Sequence, residues 1–177
     1  MRGEDKCSGR RVFDLLKWVR LEVTAPWERM VRNASLELSN YLPYLINRVG
    51  VALVERFARD GLRATQLTIG TWRVLAATAR HEGVRQVDLA RLTSIEVSTV
   101  SRLVTRLIKL GLVGRSRSAK SNREVTVLLT AKGKALFLAL APVANDLQKA
   151  ATRGVTKTEL ATTRRVLSRM HENLRAE

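Results

Sequence analysis

Residues 97–112 read VSTVSRLVTRLIKLGL, a stretch with two chemically different sides and no acidic residue. At about 100° per residue of an α-helix, one arc collects the apolar members, Val100, Leu103, Val104, Leu107 and Gly111. The opposite arc is polar and basic, with Ser98, Arg102, Thr105 and Lys109 at its centre and Thr99 and Arg106 beside them. A solvated helix face usually mixes acidic and basic side chains, because Glu and Lys four residues apart stabilise each other. Hydroxyls and guanidiniums without carboxylates suit a partner that offers phosphate oxygens and base edges. A plain amphipathic helix with a chance charge bias would show the same pattern.

The residues before this helix predict a helix-turn-helix. Gln86 to Leu92 has the pattern of a short helix, and Ser94 to Glu96 of a three-residue turn, with Glu96 as a plausible N-cap for a helix over 97–110. In a helix-turn-helix the second helix enters the major groove with its N-terminal residues at the bases. The stretch quoted above is therefore a candidate recognition helix.

A β-hairpin is predicted directly after it. Residues 112–117 and 124–130 have extended patterns, and residues 118–122 have the composition of a turn. The tip of this hairpin is basic.

Helical spacing of aliphatic residues predicts the rest of the architecture, which we expect to be mainly α with a small β wing. Gly61 is expected to end the helix that occupies residues 36–60, and Thr68 to cap the next one. Thr130 is expected to begin a helix, and Thr156 with Glu159 to form a capping box before the last one. We divide the chain into a basic leader (1–34), a dimerisation helix (35–66), a winged helix-turn-helix lobe (67–130) and C-terminal dimerisation helices (131–177).

The charge of the chain favours a polyanionic partner. Its 177 residues carry a formal net charge of +16, which points to nucleic acid or an anionic membrane surface. The surplus is concentrated between Val97 and Asn145, where Glu124 is the only acid. The cations of that segment are Arg102, Arg106, Lys109, Arg115, Arg117, Lys120, Arg123, Lys132 and Lys134.

Other protein classes find little support in the sequence. Cys7 is the only cysteine, so an intrachain disulfide is impossible and a cytoplasmic location is expected; Cys7 is either an inert thiol or one activated by neighbouring cations. Apolar runs fall far short of the roughly 18–20 residues that cross a bilayer. Nucleophile elbows, phosphate loops and paired carboxylates are absent, so we expect no enzyme and no cofactor. Two histidines and one cysteine far apart in sequence predict no metal site.

An ordered set of short motifs resembles the MarR (multiple antibiotic resistance regulator) family of winged-helix transcription factors. The set consists of Trp72-Arg73-Val74-Leu75, Leu89-Ala90, Ser98-Thr99-Val100-Ser101-Arg102-Leu103-Val104, Leu110-Gly111-Leu112-Val113, and Arg123 followed by Leu129-Thr130 and Gly133. The resemblance runs from about Leu36 to Leu174. It implies an obligate homodimer in which the first and last two helices of each chain interlock, above two winged helix-turn-helix lobes.

The same resemblance assigns the DNA contacts. Ser98, Thr99 and Arg102 are expected to face bases, with Ser101 and Arg106 near phosphates. The arginine that enters the minor groove in the family corresponds to Arg123. Family members commonly have Asp two residues before that arginine, where this chain has Ser121. We therefore expect a looser wing, in which Arg115, Arg117 and Lys120 add nonspecific attraction to phosphates.

A small-molecule effector is also implied, because proteins of this family typically respond to phenolic or aromatic-acid ligands. The candidate ligand-binding residues are Tyr44, Arg48, Trp72 and His81. The alternative is structural: Trp72 and Tyr44 as core or interface aromatics, and His81 as a solvated residue near a helix end.

Three functions stay open on the sequence alone. The first is a sequence-specific regulator, expected to be a repressor, that binds a pseudo-palindromic operator in double-stranded DNA and is released by an aromatic effector. The second is a nonspecific architectural protein that coats DNA by charge. Binding of RNA or of a membrane surface is the third.

Overall fold

The computed structural model describes residues 37–81, 83–118 and 121–175, and at residues 117, 118 and 121–124 it describes the backbone alone. The predicted leader, with Cys7, lies outside the described residues, as does Lys120. The chain divides into two units, Met1–Ile46 and Asn47–Glu177. In the described part of the first unit, residues 38–40 form a turn and the apolar side chains of Leu38, Tyr41 and Tyr44 are exposed.

The described residues form six α-helices and three strands. In chain order they are α1 (Leu42–Phe57), α2 (Ile69–Ala79), β1 (Val84–Arg85), α3 (Gln86–Thr93), α4 (Val97–Lys109), β2 (Val113–Ser118), β3 (Ser121–Leu129), α5 (Ala131–Ala151) and α6 (Lys157–Asn173). A π-helical turn, Ala58–Leu62, follows α1. No helix among them has both the length and the apolar character that crossing a bilayer requires.

The lobe that carries α4 consists of three helices packed together and a small β-sheet that packs against them. Helices α2, α3 and α4 pack against one another, and β1, β3 and β2 lie in that order in an antiparallel sheet. Val127 of β3 pairs with Val84 on one side and with Arg115 on the other. The sequence patterns did not predict β1, because two residues are too few to show alternation. The mainly α fold with a β wing, predicted from the sequence, is confirmed.

One hydrophobic core holds this lobe together. Its fully buried members come from every helix of the lobe and from β3: Val74, Leu75, Leu89, Val100, Val104, Leu107 and Val127 are all 0% exposed. Burial of each such side chain contributes about 1.5–3 kcal/mol, as an upper estimate. The core therefore fixes which side of α4 faces inward.

The predicted helix ends agree with the structure at the caps. Thr68 and Thr156 each form a capping box with the residue three positions on, Thr71 and Glu159 respectively. Thr130 caps α5 by accepting a hydrogen bond from the backbone N–H of Gly133. Hydrogen bonds from Thr156 hold the pKa of the Glu159 carboxyl below its usual value.

Two predicted boundaries were wrong. Gly61 does not end α1, which stops at Phe57; it lies inside the π-helical turn, where a Cβ would sit 3.0 Å from the Phe57 ring. That glycine serves close packing and not a left-handed cap. The wing is longer and its turn shorter than predicted, because β2 continues to Ser118 and β3 begins at Ser121.

Candidate nucleic-acid interface

The outward side of α4 is a ridge of hydroxyl and basic side chains, which we call the α4 ridge: Ser98, Arg102, Thr105 and Lys109. All four are exposed, while Val100, Val104 and Leu107 on the opposite side are fully buried. Leu103 is partly buried and packs on α2, where its side chain lies 3.3 Å from the position a Cβ would take at Gly70. The predicted two-sided helix is therefore present, with its polar side accessible.

Arg102 and Arg106 differ in which guanidinium nitrogen is hydrogen-bonded and in the segment that accepts the bond. Arg102 Nε donates a long hydrogen bond of 3.5 Å to the Ser98 carbonyl, and its terminal nitrogens have no partner among the described residues. Arg106 Nη2 donates to the backbone carbonyl of Gln66 at 3.0 Å, before α2. Arg102 can thus present a planar pair of donors outward, whereas Arg106 also ties α4 to the rest of the lobe.

The N-terminal end of α4 follows a tight turn. Ser94 adopts the left-handed conformation, with φ 54°, and ends α3. Glu96 occupies the N-cap position of α4, as predicted, but its side chain makes no capping hydrogen bond. The first N–H groups of α4 and the positive end of its dipole therefore lie beside Ser98.

The C-terminal end of α4 is closed by a Schellman motif. The N–H of Gly111 donates to the Ile108 carbonyl and that of Leu112 to the Leu107 carbonyl, each at 2.9 Å. Gly111 has φ +70°, as this motif requires. The spacing of Gly111 had predicted that it belongs to the apolar arc of the helix. This prediction was wrong, because the helix has already ended at Lys109.

The carbonyls of Leu110, Gly111 and Leu112 are bound by the start of α5, an arrangement we call the α4–α5 junction (Leu110–Leu112 with Thr130–Gly133). Lys132 Nζ donates to the Leu110 carbonyl at 3.0 Å and Thr130 Oγ1 to the Gly111 carbonyl at 2.7 Å. The Thr130 N–H donates to the Leu112 carbonyl at 3.1 Å. The junction attaches the end of α4 directly to α5.

Gly133 completes the junction by its lack of a side chain. A Cβ at this position would collide with the carbonyl of Leu112. Any other residue at 133 would therefore push α5 away from the end of α4.

The wing contributes one described basic side chain, Arg115 of β2, which is exposed. The side chains of Arg117, Arg123 and Ser121 lie outside the described residues, as does all of Lys120, so the predicted loosening of the wing stays a prediction. Thr126 Oγ1 on β3 donates to the Ser116 carbonyl on β2 at 3.2 Å and crosslinks the two strands.

One acid of the lobe is neutralised by an arginine. Arg85 Nε lies 2.7 Å from Asp88 Oδ2, and this hydrogen bond is the main cause that holds the pKa of the Asp88 carboxyl below its usual value. The pair sits at the start of α3, and it cancels the charge that would otherwise repel a polyanion.

The four predicted effector residues have different surroundings. Trp72 lies between two aromatic rings, 5.3 Å from the centroid of Phe57 and 5.8 Å from that of Phe137. This packing agrees with the alternative of a core aromatic. Tyr44, Arg48 and His81 are exposed, and their role in binding an effector stays a prediction. Among residues 37–81, 83–118 and 121–175, no three His, Cys, Asp or Glu side chains form a group that could hold a metal ion.

Comparison with known proteins decides the family. The profile of the MarR family matches residues 65–124, which span α2, α3, α4 and most of the wing. Helix-turn-helix transcriptional repressors from Mycobacterium tuberculosis and Mycobacterium bovis are each 30% identical over 133 residues, covering 75% of this chain and 92% of theirs. The chain belongs to the MarR family.

Solved structures of DNA-binding regulators have the same fold. A MarR-family regulator from Silicibacter pomeroyi superposes with a TM-score of 0.70 at 28% identity, covering 81% of this chain and 97% of its own. BpsR from Bordetella bronchiseptica, whose DNA binding is regulated by 6-hydroxynicotinic acid, gives a TM-score of 0.68 at 25% identity, covering 76% and 96%. As a member of the MarR family, the chain is a transcriptional regulator.

The structure adds positioning residues that the sequence analysis did not assign to the site. Thr130 was predicted only as a helix cap, and Lys132 only as one of several cations. Both in fact bind carbonyls at the end of α4. The motif Leu129-Thr130 with Gly133, one of those that carried the resemblance to the MarR family, is the signal that pointed to this place.

The hydrogen bonds of the α4–α5 junction should contribute to the free energy of unfolding. Thr130→Val keeps the shape of the side chain and removes one donor and one acceptor, so we expect the free energy of unfolding to fall by about 1–2 kcal/mol. Thr130→Ser should keep most of the stability of the wild type, because the serine hydroxyl can make the same two hydrogen bonds. The measurement is chemical denaturation at matched protein concentration.

Thr163→Val is the matched control, because the Thr163 hydroxyl donates to the Glu159 carbonyl within α6 and joins no second element. We expect that change to stay within about 0.5 kcal/mol. Equal losses in Thr130→Val and Thr163→Val would contradict a role for Thr130 in holding α4 to α5.

Proposed function

We propose that this MarR-family protein is a sequence-specific repressor that binds double-stranded DNA as a homodimer and is released by a small aromatic or phenolic effector. The observation that carries the proposal is the α4 ridge: a helix without acids presents hydroxyls and cations to solvent, while its other side lies in the core. The relatives from Mycobacterium, which are transcriptional repressors, support the direction of regulation.

The side chains of α4 divide into two roles. Ser98, Thr99 and Arg102 read base edges, since they lie in the N-terminal half of the helix and arginine binds guanine bidentately. Ser101 and Arg106 contact phosphates beside them. The uncommitted terminal nitrogens of Arg102 support the first assignment, and the attachment of Arg106 to Gln66 supports a position at the edge of the groove.

The wing extends the contact to the neighbouring groove. Arg123 enters the minor groove in this proposal, where a narrow A·T-rich segment has an enhanced negative potential. Arg115, Arg117 and Lys120 add attraction to phosphates that does not depend on sequence.

Dimerisation is assigned to residues 35–66 and 131–177, on either side of the DNA-binding lobe at 67–130. The support is exposed apolar surface on helices of the second unit: Val49 and Val51 of α1 are 57% and 47% exposed, and Leu138 of α5 is 68% exposed. α6 has no fully buried residue. Surfaces of this kind usually pack against another subunit. The leader, residues 1–34, is proposed to enlarge the same interface.

The effector is assigned by chemistry and by one relative. BpsR responds to 6-hydroxynicotinic acid, a hydroxylated aromatic acid, and is 25% identical to this chain. The residues first considered for binding it were Tyr44, Arg48, Trp72 and His81. The packing of Trp72 between Phe57 and Phe137 favours a structural role for that residue.

A competition experiment separates a sequence-specific regulator from an architectural protein. We expect selection from random duplexes to yield a pseudo-palindrome with half-sites about one helical turn apart, and this site to bind roughly 10³-fold or more tightly than random DNA. The measurement is footprinting with random competitor at fixed salt. Steep salt dependence alone would not discriminate, because both functions neutralise phosphates. Equal affinity for both DNAs would favour the coating function.

Substitutions separate base reading from phosphate binding. Arg102→Ala should weaken operator binding by about 1–3 kcal/mol and relax the preference at one base pair, because a bidentate base contact is lost. Arg115→Ala is the control of equal charge, and it should weaken operator and random DNA alike. Binding isotherms on the operator and its single-base variants give both quantities. Identical profiles for the two variants would contradict the division of roles.

The dimer is tested by placing a charge on the exposed face of α5. Leu138→Glu should shift the protein from dimer toward monomer in sedimentation velocity and weaken binding to the full operator, because a carboxylate would be buried in the interface. Leu92→Glu is the control, since Leu92 of α3 is similarly exposed, at 53%, and lies in the DNA-binding lobe. A stable Leu138→Glu dimer would exclude this face from the interface.

A further inference from the structure

A cleft lies between the turn of the helix-turn-helix and the end of α6; we call it the α3–α6 cleft. Its volume is about 410 Å³, within the range of about 300–1,000 Å³ for small-molecule sites. One wall is apolar and consists of Val87, Ala90, Ile95 and Val97. Val87 and Val97 are 47% and 45% exposed. These two side chains are therefore available to a flat apolar ligand.

Nitrogen-bearing side chains from both sides of the cleft complete its lining. Arg91 comes from α3, His171 from the last turn of α6, and Arg175 from the residues that follow α6. Arg91 approaches Asp88 only to 3.9 Å, and its side chain is 75% exposed. The side chain of Arg175 has no partner within the described part of the chain. Two guanidiniums in one cleft suit a carboxylate, which arginine binds through paired hydrogen bonds.

Glu96 is the one acid in the lining, and it narrows the ligand class further. Its side chain makes no capping bond to α4, so its oxygens can accept from a ligand. An acid with no donor of its own would be repelled by this carboxylate, whereas a hydroxyl on the ligand would donate to it. The lining as a whole therefore matches a ring with a carboxylate at one side and a hydroxyl at another.

We propose that the α3–α6 cleft binds a hydroxylated aromatic acid whose carboxylate lies on Arg91 and Arg175, whose ring lies on Val87 and Val97, and whose hydroxyl donates to Glu96. The inference rests on the proposed function, since it gives the effector a site. Its lining contains none of the residues first considered, which were Tyr44, Arg48, Trp72 and His81.

The position of the cleft explains how such a ligand would act on DNA binding. Glu96 and Val97 are the N-cap and the first residue of α4, and Arg175 follows α6, one of the proposed dimerisation helices. A ligand that touches both fixes the start of α4 relative to α6. The ligand releases the protein from its operator if it binds the DNA-free arrangement more tightly than the DNA-bound one. Operator DNA then lowers the affinity for the ligand by the same factor.

The first test measures binding of 4-hydroxybenzoate to the full-length protein by calorimetry, without DNA. We expect Arg91→Gln and Arg175→Gln each to weaken it roughly 10- to 100-fold, because a charge-assisted hydrogen bond is lost. Arg164→Gln removes the same charge from α6 outside the lining, and it should bind like the wild type. Operator affinity of all three variants reports separately on DNA binding.

The second test compares benzoate with 4-hydroxybenzoate. The wild type should bind 4-hydroxybenzoate more tightly than benzoate. Glu96→Ala should abolish that preference and increase the affinity for benzoate, because the repulsion between the Glu96 carboxylate and the benzoate carboxylate is removed. An unchanged preference would show that Glu96 does not face the ligand.

Three results would overturn the inference. In the first, Arg91→Gln and Arg175→Gln bind the acid as well as Arg164→Gln does. In the second, Arg48→Gln abolishes binding and the cleft variants do not, which would locate the effector near the residues first considered. In the third, neither acid binds although the protein selects its operator, and the DNA-binding function would then stand without this site. Failure to select an operator would instead remove the proposed function, because the calorimetry uses no DNA.

Discussion

The placement of α4 is the constraint on which the rest of the structure depends. Burial of Val100, Val104 and Leu107 determines which side of the helix faces inward. The Schellman motif and the α4–α5 junction determine where it ends, because they use the carbonyls from Leu107 through Leu112 with the exception of Lys109. A helix held in this way loses little further conformational freedom when it enters a groove. Binding energy is then available for discrimination between sequences.

The same attachment relates DNA reading to the rest of the molecule. α5 carries exposed apolar surface, and its start is hydrogen-bonded to the end of α4, so the helix of the α4 ridge is attached directly to a helix of the proposed dimer interface. At the other end of α4, the α3–α6 cleft reaches from its first residue to the end of α6. Each end of the proposed recognition helix thus borders a helix that we assign to the dimer. Changes at either end can alter the spacing of two such helices across a two-fold axis.

Sequence reasoning succeeded where the signal is periodic or local. The inward side of α4 followed from the 3.6-residue repeat, and the caps at Thr68 and Thr156 from side-chain chemistry within four residues. It failed where contacts join distant segments. The role of Gly61 depends on the ring of Phe57 and on Val143, and the cleft joins residues some eighty positions apart. The charge of the site could be predicted from the sequence. The hydrogen bond from Arg106 to the Gln66 carbonyl could not, because it joins segments that only the folded lobe brings together.

A structure of the homodimer on its selected operator tests the central claim most directly. The account predicts α4 of each subunit in successive major grooves, with the Ser98 hydroxyl and the Arg102 guanidinium within about 3.2 Å of base edges. It also predicts that the α4–α5 junction keeps its hydrogen bonds in the complex. A complex in which α4 lies outside the groove, or in which Arg102 contacts phosphates alone, would contradict it.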